Sequence, residues 1–134
     1  MKTKPRGLRN NNPGNIRINS DNFHGEVKPS QDKAFKQFRT MAYGYRAVFR
    51  TLLTYHQKHG LKTIRAWITR WAPPIENNTE SYIRNVSNAA KLSPDAEIDF
   101  NNKELMCRIV AEISRVENGV IANMADVEQG YNLL

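Results

Sequence analysis

The sequence predicts a mainly α fold: a single helical domain, 1–134, with an irregular amino-terminal lobe over 1–39 and a helical lobe over 40–134. Three observations predict it. After Thr40, apolar residues recur at three- and four-residue spacing in several separate stretches. Before Thr40 no helical period holds, and Asn, Pro and Gly crowd the chain. With 134 residues, 40% hydrophobic and 25% charged, the chain suffices for one core and falls short of two ordinary ones.

Within the amino-terminal lobe the turn-like run Pro29-Ser30-Gln31-Asp32 suggests one short β-hairpin, Phe23 to Val27 facing Ala34 to Phe38. The first helix opens at Thr40, a capping residue, carries Tyr45, Val48, Phe49, Leu52, Leu53 and Tyr55, and stops at Gly60. A shorter helix runs from Thr63 to about Trp71, with Ile64, Trp67, Ile68 and Trp71 on one face, and Pro73-Pro74 stops it. Asn78 or Thr79 caps a third helix to about Lys91 that buries Tyr82, Ile83 and Val86. The most apolar helix follows Asn101-Asn102-Lys103-Glu104, a spacing close to a capping box, and ends at Glu117-Asn118-Gly119. A last short helix is expected over Ala122 to Gln129. No internal repeat or low-complexity tract interrupts this order.

The charge is divided unevenly. Residues 1–70 hold 15 Lys and Arg against 3 Asp and Glu, whereas residues 71–134 hold 5 against 10. A basic half invites a polyanionic partner, such as nucleic acid, an anionic cell-wall polymer or a membrane surface, although a solvated basic face has the same composition. No apolar run reaches the length of a membrane span, and Met1-Lys2-Thr3-Lys4 leads into polar residues instead of a signal-peptide core. Cys107 is the single cysteine, which excludes an internal disulfide, and it sits in an apolar stretch as a small core residue. It has no partner for a zinc site, and no Gly-rich phosphate loop follows a strand, so neither metal nor cofactor is expected. His56 and His59 close a helix and read as solvated residues of its last turn.

Two stretches have the period of neither helix nor strand: Arg6 to Arg17, with Asn10-Asn11-Asn12-Pro13-Gly14-Asn15 inside it, and Trp71-Ala72-Pro73-Pro74-Ile75-Glu76-Asn77-Asn78-Thr79. Both crowd side-chain amides with Pro and Gly, which fix the backbone and present donors and acceptors together. Such amides often only cap or turn a chain. Two such loops framing a helical segment suggest the walls of a polar cleft. Three carboxylates then stand out. Glu117 ends the most apolar helix, a position suited to a proton donor if an apolar wall borders it, though Asn118-Gly119 also reads as a plain C-cap. Glu26 follows His24-Gly25 in the presumed cleft lobe, and could equally be an exposed hairpin carboxylate. Glu76 precedes a helix start, where an acid bonds free backbone N–H groups.

Arg6 to Arg17, the segment from Phe38 through Gly44-Tyr45-Arg46-Ala47 to Tyr55, and Trp71 to Thr79 with Tyr82-Ile83 together resemble a phage and prophage protein family. Its members are usually described only as structural or virion proteins. The missing signal-peptide core predicts synthesis in the host cytoplasm, with any exit by host lysis or packaging in a particle, and so virion association or release to the cell wall. The resemblance implies other virion or host proteins as partners. A second, weaker resemblance is to lysozyme-like lytic transglycosylases, in which a helix ends in a Glu-Ser-Gly type motif whose Glu is the acid. Ile113 to Gly119 is similar to that motif, with Asn118 in place of the Ser, while Gly44 to Leu53 and Trp71 to Val86 look like its later parts. The Glu helix comes last here instead of first, which implies a circularly permuted lysozyme-like domain.

The function this implies is binding or cleavage of peptidoglycan glycan strands, as a muramidase or lytic transglycosylase. Glu117 would protonate the glycosidic oxygen, and Glu26 or Glu76 would stabilise the resulting charge or activate water. Asn11, Asn12, Asn15, Asn77 and Asn78 would bind sugar hydroxyls and N-acetyl groups, with Arg17 beside them. Tyr45, Trp71 and Tyr82 would offer apolar faces, as would Trp67, although helical spacing favours the core for both Trp residues. Two other readings stand beside it: a non-catalytic virion component or a phage factor that binds a host protein, and non-specific nucleic-acid binding through the basic first half.

Overall fold

The computed structural model describes residues 4–134, so the reading of Met1 to Lys4 falls largely outside the described residues. The described chain is mainly helical, with one small two-stranded antiparallel sheet near the amino terminus. A single turn, α1 (Arg6–Arg9), precedes β1 (Glu26–Val27) and β2 (Gln37–Phe38). Then come α2 (Met41–Lys58), α3 (Ile64–Trp71), α4 (Thr79–Ala90), α5 (Lys103–Asn118) and α6 (Met124–Asn132). Among the described residues no helix is long and apolar enough to cross a membrane.

Each long helix starts where a side-chain oxygen takes up a free backbone N–H. Thr40 accepts from Tyr43 N, Thr63 from Ala66 N, Asn78 from Ser81 N and Asn102 from Leu105 N. Gly119 closes α5 in the left-handed region at φ 73°. The last helix starts two residues later than expected, because Asn123 caps it by accepting from Asp126 N, and it runs on through Gly130. Gly130 is needed there: a Cβ would lie 2.6 Å from Tyr45 Cβ, where α6 packs along α2.

The hairpin exists but is shorter than the sequence suggests, with Glu26 opposite Phe38 and Val27 opposite Gln37. The reason is competition for backbone partners. Ile18 N donates to Ala34 O and Lys36 N to Ile16 O, so the segment expected to face Phe23 pairs with the Asn-Pro-Gly loop instead. That loop is built from its own amides. Asn11 and Asn15 sit at φ 51° and 50°, a region that Asn tolerates better than most residues. Asn12 is fully buried; its Nδ2 donates to Ile16 O and Lys36 O while its Oδ1 accepts from Ile16 N.

Arg6 clamps the lobe from outside through two bonds to Asp32, at 2.5 and 2.6 Å. The Arg6 guanidinium, then the Ala34 N–H, hold the Asp32 carboxyl well below its ordinary value of 3.8. A carboxyl depressed in the folded state contributes stability that is complete above its unfolded value and fades as pH falls below it. Wild type is therefore expected to lose melting temperature below about pH 4 faster than Asp32→Asn, which starts lower at neutral pH. Parallel acid titration curves for the two proteins would contradict the clamp.

The helices enclose one apolar cluster that includes Phe49, Leu52, Trp67, Ile68, Ile83, Val86, Met106, Ile109 and Ile113. Cys107 is buried within it, as the sequence suggests. His56 packs against Trp67 and Phe100 instead of standing in solvent, which corrects the sequence reading, because its helix face turns toward those rings. The amino-terminal loop lies on α2 at Gly44, where a Cβ would meet Asn11 O at 2.0 Å and Pro13 Cδ at 2.6 Å. Overpacking such a contact costs about 1–3 kcal/mol. Gly44→Ala should lower the urea midpoint accordingly with the slope unchanged, and an unshifted midpoint would contradict this contact.

Candidate functional site

The two amide-rich loops meet at one open cleft of about 1010 Å³. One wall is Gly14 to Arg17 with Asn19, Asp21 to His24 and Phe35; the other is Arg70 to Ala72 with Glu76 and Asn77. Helix α2 lies between them, and Glu117 reaches in from the end of α5. Gly14 allows the loop to seat on the helices, since a Cβ there would lie 2.8 Å from Val48 Cγ2 and 3.0 Å from the Trp71 ring.

Glu117 is the carboxylate this architecture holds in place. Tyr82 Oη donates to its Oε2 at 3.0 Å, and Asn15 Nδ2 donates to its Oε1 at 3.2 Å. Burial, followed by the charge of Glu117, pushes the Tyr82 hydroxyl far above its ordinary value of 10.0, so it keeps its proton and remains a donor. The next residue locks the helix end to the loop: Asn118 Nδ2 donates to Pro13 O at 2.8 Å and to Ser114 O at 2.9 Å. The pair Glu117-Asn118 thus does more than cap a helix. One side chain enters the cleft, and the other fastens the loop that supplies Asn15.

The other expected site residues divide between cleft and scaffold. Arg17, Trp71, Glu76 and Asn77 line the cleft. Glu76 is exposed and its carboxylate makes no hydrogen bond among the described residues; Asn78 caps α4 instead, which corrects the capping role expected of Glu76. Asn77 Nδ2 donates to Pro73 O. Glu26 is not brought to the cleft. Its side chain is 7% exposed and pairs with Lys36, itself 1% exposed, whose Nζ lies 3.1 Å from both carboxylate oxygens. Asn11 spends its amide on Phe38 O, and Asn12 is wholly inside. Tyr45 is buried with its hydroxyl on Ser114, and Tyr82 is buried except where it meets Glu117. Of the two Trp residues, Trp67 is core and Trp71 is half-buried at the cleft.

Sequence reasoning missed the basic floor. Arg46, Arg50, Thr54 and Lys58 recur every four residues and form one polar stripe of α2 along the cleft, joined by Arg70 and His59. The four-residue spacing was the available signal, masked by the stronger apolar period of the same helix. Arg46 is only 9% exposed, with its Nε on Leu133 O. Burial, then the nearby charge of Arg50, lowers its value below the ordinary 12.5. Arg17 stacks on Phe35 and Arg70 on Tyr55, at 5.1 and 5.3 Å from the ring centres. Asp21 adds an exposed acid to the rim. Among the described residues no three His, Cys, Asp or Glu side chains are grouped to hold a metal ion.

No protein-family model matches the chain. Protein P5 of Pseudoalteromonas phage PM2 is 40% identical to it over 117 residues, which cover 85% of this chain and 71% of that protein. Identity at that level over most of both chains indicates common descent and a shared fold. The chain therefore belongs to the family of phage proteins that includes Protein P5 of phage PM2.

Proposed function

We propose that this protein is a lysozyme-like glycan-cleaving protein, circularly permuted, which binds peptidoglycan strands in the cleft and breaks their glycosidic bonds with Glu117 as the acid. The observation that carries the reading is the Glu117 carboxylate, aimed into the cleft and held on both oxygens by neutral donors. Neutral donors orient the group without locking it in an ion pair. Asn15 and Asn77 suit sugar hydroxyls and N-acetyl groups, and Trp71 and Tyr55 offer apolar edges to sugar rings. Kinship with a phage protein supports the finer reading that the protein acts in or beside the virion, on the host wall.

In this mechanism Glu117 gives its proton to the glycosidic oxygen as the C1–O bond breaks. The bonding pair leaves with that oxygen, and the ring becomes oxocarbenium-like. The Glu117 carboxylate then takes a proton from the attacking hydroxyl as the new C1–O bond forms. Glu26 is occupied by Lys36, and Glu76 stands free at the opposite rim, where it stabilises positive charge only through solvent. With one carboxylate held in place, the attacking group favoured is the sugar's own C6 hydroxyl, the lytic transglycosylase route. Mass spectrometry of released muropeptides tests this. Products lacking one water, with an anhydro end, are expected; new reducing ends would replace the route with hydrolysis. Absence of any product would leave a non-catalytic virion component or a factor that binds a host protein.

A further inference from the structure

We infer that the Arg46, Arg50 and Arg70 side of the cleft is a subsite for carboxylates carried by the glycan, so that the ligand is an acidic amino-sugar strand and not a neutral one. This rests on the glycan-strand reading above and names its substrate class. Five cations line the cleft against three carboxylates, and none of the five forms an ion pair among the described residues. Elsewhere Arg6, Lys36, Arg65, Arg108 and Arg115 are ion-paired, whereas other cations, such as Lys33, Arg84 and Lys91, are scattered over the surface without a carboxylate partner among the described residues. What sets the cleft apart is that five unpaired cations line one groove.

Arg46 sharpens the point. A guanidinium removed from water is costly unless an anion meets it, and its one protein partner is a neutral carbonyl. Arg50 lies one turn along α2, and Arg70 is held on the facing helix by the Tyr55 ring. From Arg46 to Lys58 the α2 stripe runs about 18 Å, so the cations follow the cleft's length and do not converge on one point. Planar guanidinium forks match carboxylates in a bidentate way, whereas a neutral polysaccharide would leave their charge unanswered.

The test compares wild type with Arg50→Gln/Arg70→Gln, two exposed positions, after circular dichroism and melting confirm the fold. Affinity is measured by calorimetry for soluble peptidoglycan strands, for the same strands with carboxylates converted to methylamides, and for single-stranded DNA. A hydrogen bond to a charged group is worth enough that the variant should bind native strands about tenfold more weakly. Wild type should show at least that loss on the amidated strands, and the variant, which keeps Arg46, should discriminate between the two less than wild type. Equal wild-type affinity for both strands, or an equal loss on both in the variant, would overturn the subsite and leave the glycan reading intact. Tighter wild-type binding to DNA, lost in the variant, would assign the cations to nucleic acid. Wild type that binds neither strand would overturn the glycan reading itself, and the subsite with it.

Discussion

Glu117→Gln is expected to lower muropeptide release by roughly a hundred- to ten-thousand-fold while the protein stays folded, the range for removal of a general acid. Gln keeps the size of the side chain and an oxygen to accept from Tyr82 or Asn15, so the loss would report the missing proton and not a collapsed site. Tyr82→Phe and Asn15→Ala each remove one orienting donor, so each should cost less than Glu117→Gln and reduce turnover more than binding. Glu76→Gln should change release by a few-fold at most, because nothing holds that carboxylate and water screens it. Steady-state release rates on solubilised strands, with circular dichroism for the fold, measure all four. A Glu117→Gln protein as active as wild type would remove the proposed acid.

The largest effect on stability is expected at the pair formed by Glu26 and Lys36. Both side chains are buried, and Lys36 Nζ also bonds Asp21 O and sits over the Phe23 ring at 5.5 Å. Lys36→Met would leave the Glu26 carboxylate buried without its cation, which costs about 3–5 kcal/mol. The double variant Glu26→Gln/Lys36→Met removes both charges and should recover a substantial part of that loss. Denaturant unfolding of the two singles and the double measures the coupling. Strict additivity would mean that the pair does not hold the lobe together. The same series separates structure from chemistry: Glu26→Gln should impair activity only as far as it impairs folding.

The helices were legible because their signals are local. Thr40 and Asn78 cap as their positions suggest, and Thr63 caps the helix expected to begin there. The α5 cap falls on Asn102, one residue after the Asn101 of the capping-box spacing, and the apolar period marks the faces that form the core. The amino-terminal lobe was legible only as irregular, since its backbone partners are far apart in sequence. Asn12 bonds Lys36 O, 24 residues away, and Asn118 bonds Pro13 O, 105 residues away. For the same reason the amides could be noticed but not sorted: Asn15 faces the cleft while Asn12, three residues earlier, is buried. Glu26 looked like Glu117 in sequence because the difference between them lies in Lys36 and Tyr82, partners that only folding supplies. The α2 cations went unread for another reason. A basic residue every four positions on a helix is the ordinary pattern of a solvated face, and only the two loops turn that face into a cleft floor.

The most direct measurement is release of soluble muropeptides from purified peptidoglycan by wild type, with Glu117→Gln as the paired control. Wild type is predicted to release fragments bearing anhydro ends, and Glu117→Gln to release essentially none. No release by wild type from walls of several chemistries would contradict the cleavage reading and leave the cleft as a binding surface.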